Sequence, residues 1–365
     1  MNHPPLWLRS TLVVMLLLIT ACQPIQPEAA QSTTQTTDPQ IQNAMSAAPP
    51  AIAQEATILG WPNEEGGEMV VLREGSNGWT CIADWPASPG NDPSCNDPVW
   101  MAWNDAYAKG EEPEITGPGL AYMLQGGSDP SNTDPMATEP APGEDWVATP
   151  PHMMILLPDG FDAANFTTDH HSGYPYIMWD GTPYEHLMVP IVGATPVEMG
   201  NADAQVANIL AAAPAVVALN ATILGEPTTA GGDMVVLQEG DNGWICYDDR
   251  SVSPGNAPAC YDEQWNVFNE AYMAGEAPVL TAPGIGYMLQ GGSDESNTDP
   301  LATGPAPGEE WITTPSHIML LLPDGFDAAN FTTDHHSGYP YIMWDGTPYE
   351  HLMVPVNSEE TEMGM

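Results

Sequence analysis

The chain has almost no positive charge: four lysines and arginines stand against 49 aspartates and glutamates in 365 residues, a formal charge of −45. Nucleic-acid binding needs several Lys or Arg contacts to phosphates, so that class is excluded. Anionic lipid headgroups are repelled equally. Signatures of familiar chemistry are also missing. There is no His-Glu-x-x-His and no Gly-x-Ser-x-Gly elbow ahead of a helix, although Asp169, His170 and Ser172 lie near one another in sequence. Gly126-Gly127 and Gly117-Pro118-Gly119 lack the lysine and the strand-to-helix setting of a phosphate cradle. What so negative a field attracts is cations, and it raises the proton affinity of nearby histidines. Solubility and adaptation to salt account for the same composition.

Long apolar runs are scarce as well. Leu6 to Ile19 is one, with Arg9 its only charge; it has the length of a signal peptide and is short for a bilayer span. It ends in Ile19-Thr20-Ala21-Cys22, which resembles the lipobox of bacterial lipoproteins. The resemblance covers only this amino-terminal stretch. It implies removal of residues 1–21, acyl chains on the thiol and amino group of Cys22, and attachment to a membrane on its extracytoplasmic side; several acyl chains together make a stable anchor. Residues 22–42 are rich in Gln, Thr and Pro and cannot bury a core, which predicts a disordered tether. About 20 flexible residues span on the order of 25 Å.

The remainder is a duplication. Asn43 to Ile191 matches Asn208 to Val356 at a constant offset of 165 residues, and Leu156 to Pro190 is identical to Leu321 to Pro355. Function explains that identity, as does recent recombination between the copies. The pattern predicts two domains, 43–191 and 208–356, joined by a linker at 192–207 and followed by an acidic tail at 357–365. Each is long enough to bury a core of its own.

With Cys22 set aside, the other cysteines fall as Cys81 with Cys95 and Cys246 with Cys260, one pair per copy. Each pair is expected to form a disulfide in an oxidising compartment, closing a loop of about 15 residues worth roughly 3 kcal/mol in the chain-entropy model. A cysteine-based metal site is the competing reading.

Within each copy, Met69 to Arg73 and Trp79 to Ile82 around Glu74-Gly75-Ser76-Asn77-Gly78 read as a β-hairpin, repeated at Met234 to Gln238 and Trp244 to Tyr247. Asp97 reads as an N-cap with Pro98 at the first helical position and Gly110 as the stop, with Trp100, Trp103 and Tyr107 on one face; Asp262 to Gly275 matches. These aromatics are expected in the core. Further strands are expected at Leu120 to Gln125, Met153 to Leu157, Tyr176 to Trp179 and His186 to Val189. The fold class is α+β: two tandem, mainly antiparallel β domains, each with one main helix and one disulfide.

Two groups of residues suggest cation chemistry. The loop Gly126 to Asp134 alternates oxygen donors at Asp129, Ser131, Thr133 and Asp134, echoed by Asp294, Ser296, Thr298 and Asp299. Calcium wants six to eight such oxygens, but the loop lacks the glycine and distal glutamate of an EF-hand, and self-capping turns explain it as well. The sharper group is the late-placed histidines: His152, His170, His171 and His186, then His317, His335, His336 and His351. With Asp169, Asp180 and Glu185, and with Asp334 and Glu350 in the second copy, they would suit zinc or copper. On a strand, His170 and His171 would point opposite ways. Histidines packed and hydrogen-bonded among Tyr174, Tyr176, Trp179 and Tyr184 are the competing reading. The expected function is therefore a membrane-anchored, extracytoplasmic binding module holding a divalent metal or small ligand, displayed twice. A metal-dependent enzyme and a glycan-binding or purely structural surface module are the alternatives.

Overall fold

A computed structural model describes residues 38–62, 67–115, 117–157, 165–200, 202–229, 232–250, 252–322 and 330–357. The signal, the lipobox with Cys22, most of the expected tether and residues 358–365 of the expected tail lie outside the described residues.

Each copy opens with two short helices, α1 (Pro39–Met45) and α2 (Pro50–Ala53) in the first, α5 (Ala204–Leu210) and α6 (Ala215–Ala218) in the second. The tether therefore stops short of residue 42 and the linker short of 207. Asp38 and Asp203, at the same 165-residue offset, cap α1 and α5 by accepting from the amides of Gln40 and Val206. Ile41 is buried against the core, a hydrophobe that the polar composition around it conceals. The intervening segment is also structured: α4 (Pro196–Met199) begins with a capping box between Thr195 and Glu198. Ala194 is buried and its amide donates to Ala213.

The strands of the first copy are β1 (Thr57–Gly60), β2 (Val70–Arg73), β3 (Thr80–Ile82), β4 (Ser94–Asn96), β5 (Gly119–Met123), β6 (Gly127–Asp129), β7 (Val147–Thr149), β8 (His152–Leu156), β9 (Tyr176–Met178) and β10 (His186–Pro190). Eight of them form one sheet in the order β2-β1-β3-β4-β5-β8-β10-β9, while β6 and β7 pair separately. The second copy repeats this as β11 (Thr222–Gly225) through β20 (His351–Pro355). All pairings are antiparallel except β1 with β3 and its counterpart β11 (Thr222–Gly225) with β13 (Ile245–Tyr247). The mainly antiparallel α+β class stands.

The hairpin expectation is corrected. β2 and β3 do not pair, because β1 lies between them, antiparallel to one and parallel to the other. The connecting loop must pass over the start of β1, where the Ser76 amide donates to the Glu55 carbonyl at 2.8 Å. A Cβ on Gly75 would stand 2.1 Å from the Thr57 amide nitrogen, so glycine is required for that crossing.

The main helices are α3 (Pro98–Lys109) and α7 (Glu263–Ala274). Asp97 caps α3 through the Trp100 amide at 2.7 Å and also accepts from the Leu120 amide on β5 at 2.8 Å, tying helix to sheet; Gly110 ends the helix at φ 67°. Strand alternation sorts the sheet's two faces. Leu120, Tyr122, Met153, Ile155, Leu187 and Val189 face the short helices, in a cluster of buried side chains that runs continuously through both copies. Ala121, Met154, Leu156, Met178 and Met188 face α3 in a cluster private to the first copy, and Met319, Leu321, Met343 and Met353 face α7 in its counterpart.

The copies meet through reciprocal contacts. Asn77 donates to the Tyr339 hydroxyl and Asn242 to that of Tyr174, residues related by the same offset. The two tandem β domains thus each keep a buried cluster of their own and share a further one that runs through both. Cys81 and Cys95 face each other across β3 and β4 and are bonded, as are Cys246 and Cys260 across β13 and β14 (Ala259–Tyr261). These disulfides mark an oxidising compartment outside the cytoplasm. Among the described residues no helix is long and apolar enough to cross a membrane.

Candidate functional site

The histidines and carboxylates do not converge as expected. His152 and His186 do share the α3 face, but β8 and β10 pair Met154 with Met188 and His152 with Pro190, so the histidines stand at opposite ends of that face with methionines between them. Each gives its Nδ1 to a backbone carbonyl two residues upstream, His152 to Pro150 at 2.7 Å and His186 to Tyr184 at 3.0 Å. Burial pushes both imidazoles down to about 4, so they are neutral at ordinary pH; His317 and His351 repeat the arrangement. His186 is ringed edge-on by Trp100, Trp103 and Trp179 at 5.1–5.8 Å, which is aromatic packing.

His170 and His171 lie in a turn, not on a strand, with ring centroids 3.9 Å apart, and His335 and His336 match them. Asp169 and Asp334 accept from the amides of His171 and His336, while Glu185 and Glu350 accept from Gly181 and Gly346. Among the described residues no three His, Cys, Asp or Glu side chains come together to hold a metal ion. The expected zinc or copper set is therefore not assembled among the described residues: His152 and His317 each keep a buried Nε2 without a partner, but no carboxylate or second imidazole joins it to make a set of three.

In the loop expected to suit calcium the oxygens are engaged locally. Ser131 accepts from the amides of Thr133 and Asp134, and Asp134 accepts from Met136; Ser296 and Asp299 do the same. The Thr133 and Thr298 hydroxyls lie 3.4 Å from those serine hydroxyls. The oxygens cap their own loop. Asp129 and Asp294 are partly buried beneath it, and burial pushes them up to about 7 and about 6, the first helped by Asp92 and the second partly offset by Arg250.

The loop's structural task is visible instead at Trp179 and Trp344. The Trp179 amide donates to Asn132 and its indole to the Ser131 carbonyl at 2.8 Å; Trp344 is clamped identically by Asn297 and Ser296. Both tryptophans sit at φ 58–59°, a left-handed conformation costly for a bulky side chain. Such strain collects at functional sites, and here it fixes a large ring over the α3 or α7 face of the sheet.

In the second copy that ring overlooks a cavity of about 780 Å³ between the sheet, α7 and the β16 (Gly292–Asp294) loop. The floor is Met319, Met343, Met353 and His351, all on one sheet face; the walls are Tyr247, Tyr261, Trp265, Phe268, Tyr272 and Trp344. Asp294 and Arg250 supply charge inside it. This size, an apolar lining and a few convergent polar groups describe a small-molecule site. A smaller cavity of about 470 Å³ lies where the copies meet, lined by Thr167, Tyr174, Asn242 and Gln264 among others, without such a ring of aromatics.

The first copy keeps the floor and fills the space above it. Trp103 replaces Phe268 and stacks with Tyr107 at 5.4 Å and with Trp179 at 6.0 Å. In the second copy Tyr272 stacks on Trp344 alone, at 5.8 Å. Sequence reasoning treated these aromatics as core, which is right for Trp100, Trp103, Trp265 and Phe268 by burial. It missed that Phe268, where the first copy has Trp103, borders a cavity. The available signal was the alternation His317-x-Met319-x-Leu321 beside His351-x-Met353, which marks a single face. The chain matches no family model, no curated protein and no solved structure, so its function is argued from this geometry.

Proposed function

We propose that this is a lipid-anchored extracytoplasmic binding protein whose second copy holds one small organic ligand in the aromatic and methionine cavity beneath Trp344. The lipobox-like Ile19-Thr20-Ala21-Cys22 supports the anchor. The single observation carrying the binding role is the cavity of about 780 Å³, walled by six aromatic side chains and floored by Met319, Met343 and Met353. Thioethers adapt to irregular ligands and aromatics contribute large contact area at low entropy cost. The first copy serves as a structural partner through the shared core.

The test uses Nile red, an uncharged fluorescent probe, titrated into the full mature chain. One bound probe per chain is expected, with Phe268→Trp, which imports the first copy's own residue, abolishing binding without unfolding the protein. Equal binding by that variant would place the probe elsewhere and remove the reading. For the anchor, Cys22→Ser is expected to abolish acyl labelling and release the chain from membranes.

A further inference from the structure

Resting on the proposed binding role of that same cavity, we infer that its ligand is an organic cation, an ammonium or similar group attached to an apolar body. Four observations converge. First, the cavity is acidic: Glu270, Asp294, Glu295 and Asp299 line it, against Arg250 as the one Lys or Arg among the lining residues. Arg250 pairs with Glu295, its guanidinium 3.4 Å from both carboxylate oxygens, donates to the Ser293 carbonyl, and offsets Asp294 only in part. His351 is neutral and offsets no negative charge.

Second, the Asp294 carboxyl is largely but not wholly buried at the end of β16, and no described residue donates a hydrogen bond to it. A buried carboxyl without a donor is costly, and a ligand cation satisfies it. Third, the walls are rich in aromatic rings, a lining that attracts organic cations. Tyr261 stacks on Trp265 at 5.2 Å, Trp265 lies 4.9 Å from Phe268, and Tyr272 stacks on Trp344. Fourth, Met273, 81% exposed, stands at the mouth where the first copy has Ala108, extending apolar surface outward for a ligand body. An anion would meet both this local charge and the chain's formal −45. A bare metal ion would find bulky walls and no ligand set of three.

The experiment compares benzyltrimethylammonium with neopentylbenzene, its uncharged isostere, by calorimetric titration into the full mature chain. The ammonium is expected to bind at one site, at least about tenfold more tightly than the isostere, an advantage worth about 1.4 kcal/mol. Asp294→Asn is expected to erase that advantage while sparing the isostere. Should that variant fold poorly, Glu270→Gln with Asp299→Asn neutralises the rim from exposed positions and is expected to lower ammonium affinity several-fold. Equal affinities for both probes would overturn the cation class while leaving the cavity reading intact. Failure of both probes and of Nile red would overturn the cavity reading itself.

Discussion

The two copies share one sheet floor and differ above it. His152, Met154, Met178, Trp179, His186 and Met188 recur as His317, Met319, Met343, Trp344, His351 and Met353, all on one face. Over the first floor lies a stack of Trp103, Tyr107 and Trp179; over the second, Phe268 leaves room beside Tyr272 and Trp344. Around the rim, Trp85 becomes Arg250, Asp92 becomes Ala257 and Asn96 becomes Tyr261. A duplicated domain has thus kept its fold through the floor and changed its capacity for a ligand through the few residues over it.

The strongest way to break this contrast is to exchange the deciding residue. Trp103→Phe is expected to open a cavity in the first copy that takes up a second Nile red, while Phe268→Trp lowers affinity in the second by about a hundredfold or more through steric exclusion. Stoichiometry measured by titration decides it: if Trp103→Phe adds no site, the copies differ by more than this ring. The exchange into a cavity that the native copy holds open should cost little stability, whereas overpacking elsewhere costs about 1–3 kcal/mol.

The helix caps sharpen the comparison from the side where the copies agree. Asp97→Ala removes an N-cap, worth about 1–2 kcal/mol, and leaves the buried Leu120 amide unpaired, worth about 1–3 kcal/mol. Asp262→Ala does the same to the Trp265 and Ile285 amides. Equal losses, read from denaturant midpoints in a single shared transition, are expected because one core joins the copies; two separate transitions would contradict the shared core.

A smaller effect is expected with pH. The four buried imidazoles take protons only near pH 4, against an ordinary value of 6.5, so the unfolded chain binds more protons between those limits. Their contribution to stability therefore falls as pH drops from 6.5 to 4. Asp97, Asp129, Asp262 and Asp294, raised to about 6–7, act in the opposite direction and stabilise most below their folded values. His186→Gln and His351→Gln are each expected to flatten the acid arm of the stability profile by a similar amount. A larger change in one copy would show that its floor is packed differently. The smallest effect belongs to Lys109→Ala, which breaks an exposed pair with Asp105 and is expected to leave the melting temperature unchanged.

Much of the frame was legible. Asp97-Pro98 and Gly110 bound α3, because caps and stops act locally on orphan backbone groups. The cysteine pairs and the strands β5, β8, β9 and β10 followed from spacing and apolar runs. The order β2-β1-β3 did not, since inserting β1 into an apparent hairpin leaves the local turn signal unchanged. The histidine cluster misled because nearness in sequence does not bring side chains together: the strand register puts His152 opposite Pro190 and Met154 opposite Met188, so His152 and His186 stand at opposite ends of one face.

By itself the sequence determined the duplication, the acidic character, the disulfide pairs and the caps, because identity, charge and short-range backbone chemistry need no fold to be read. The tertiary structure decided that buried side chains run through both copies, that the loop at 126–134 clamps a tryptophan, and that Phe268 borders a cavity where Trp103 is stacked with Tyr107 and Trp179. Those outcomes depend on which faces of distant strands and helices are pressed together, and packing at that scale turns on the volume of single side chains.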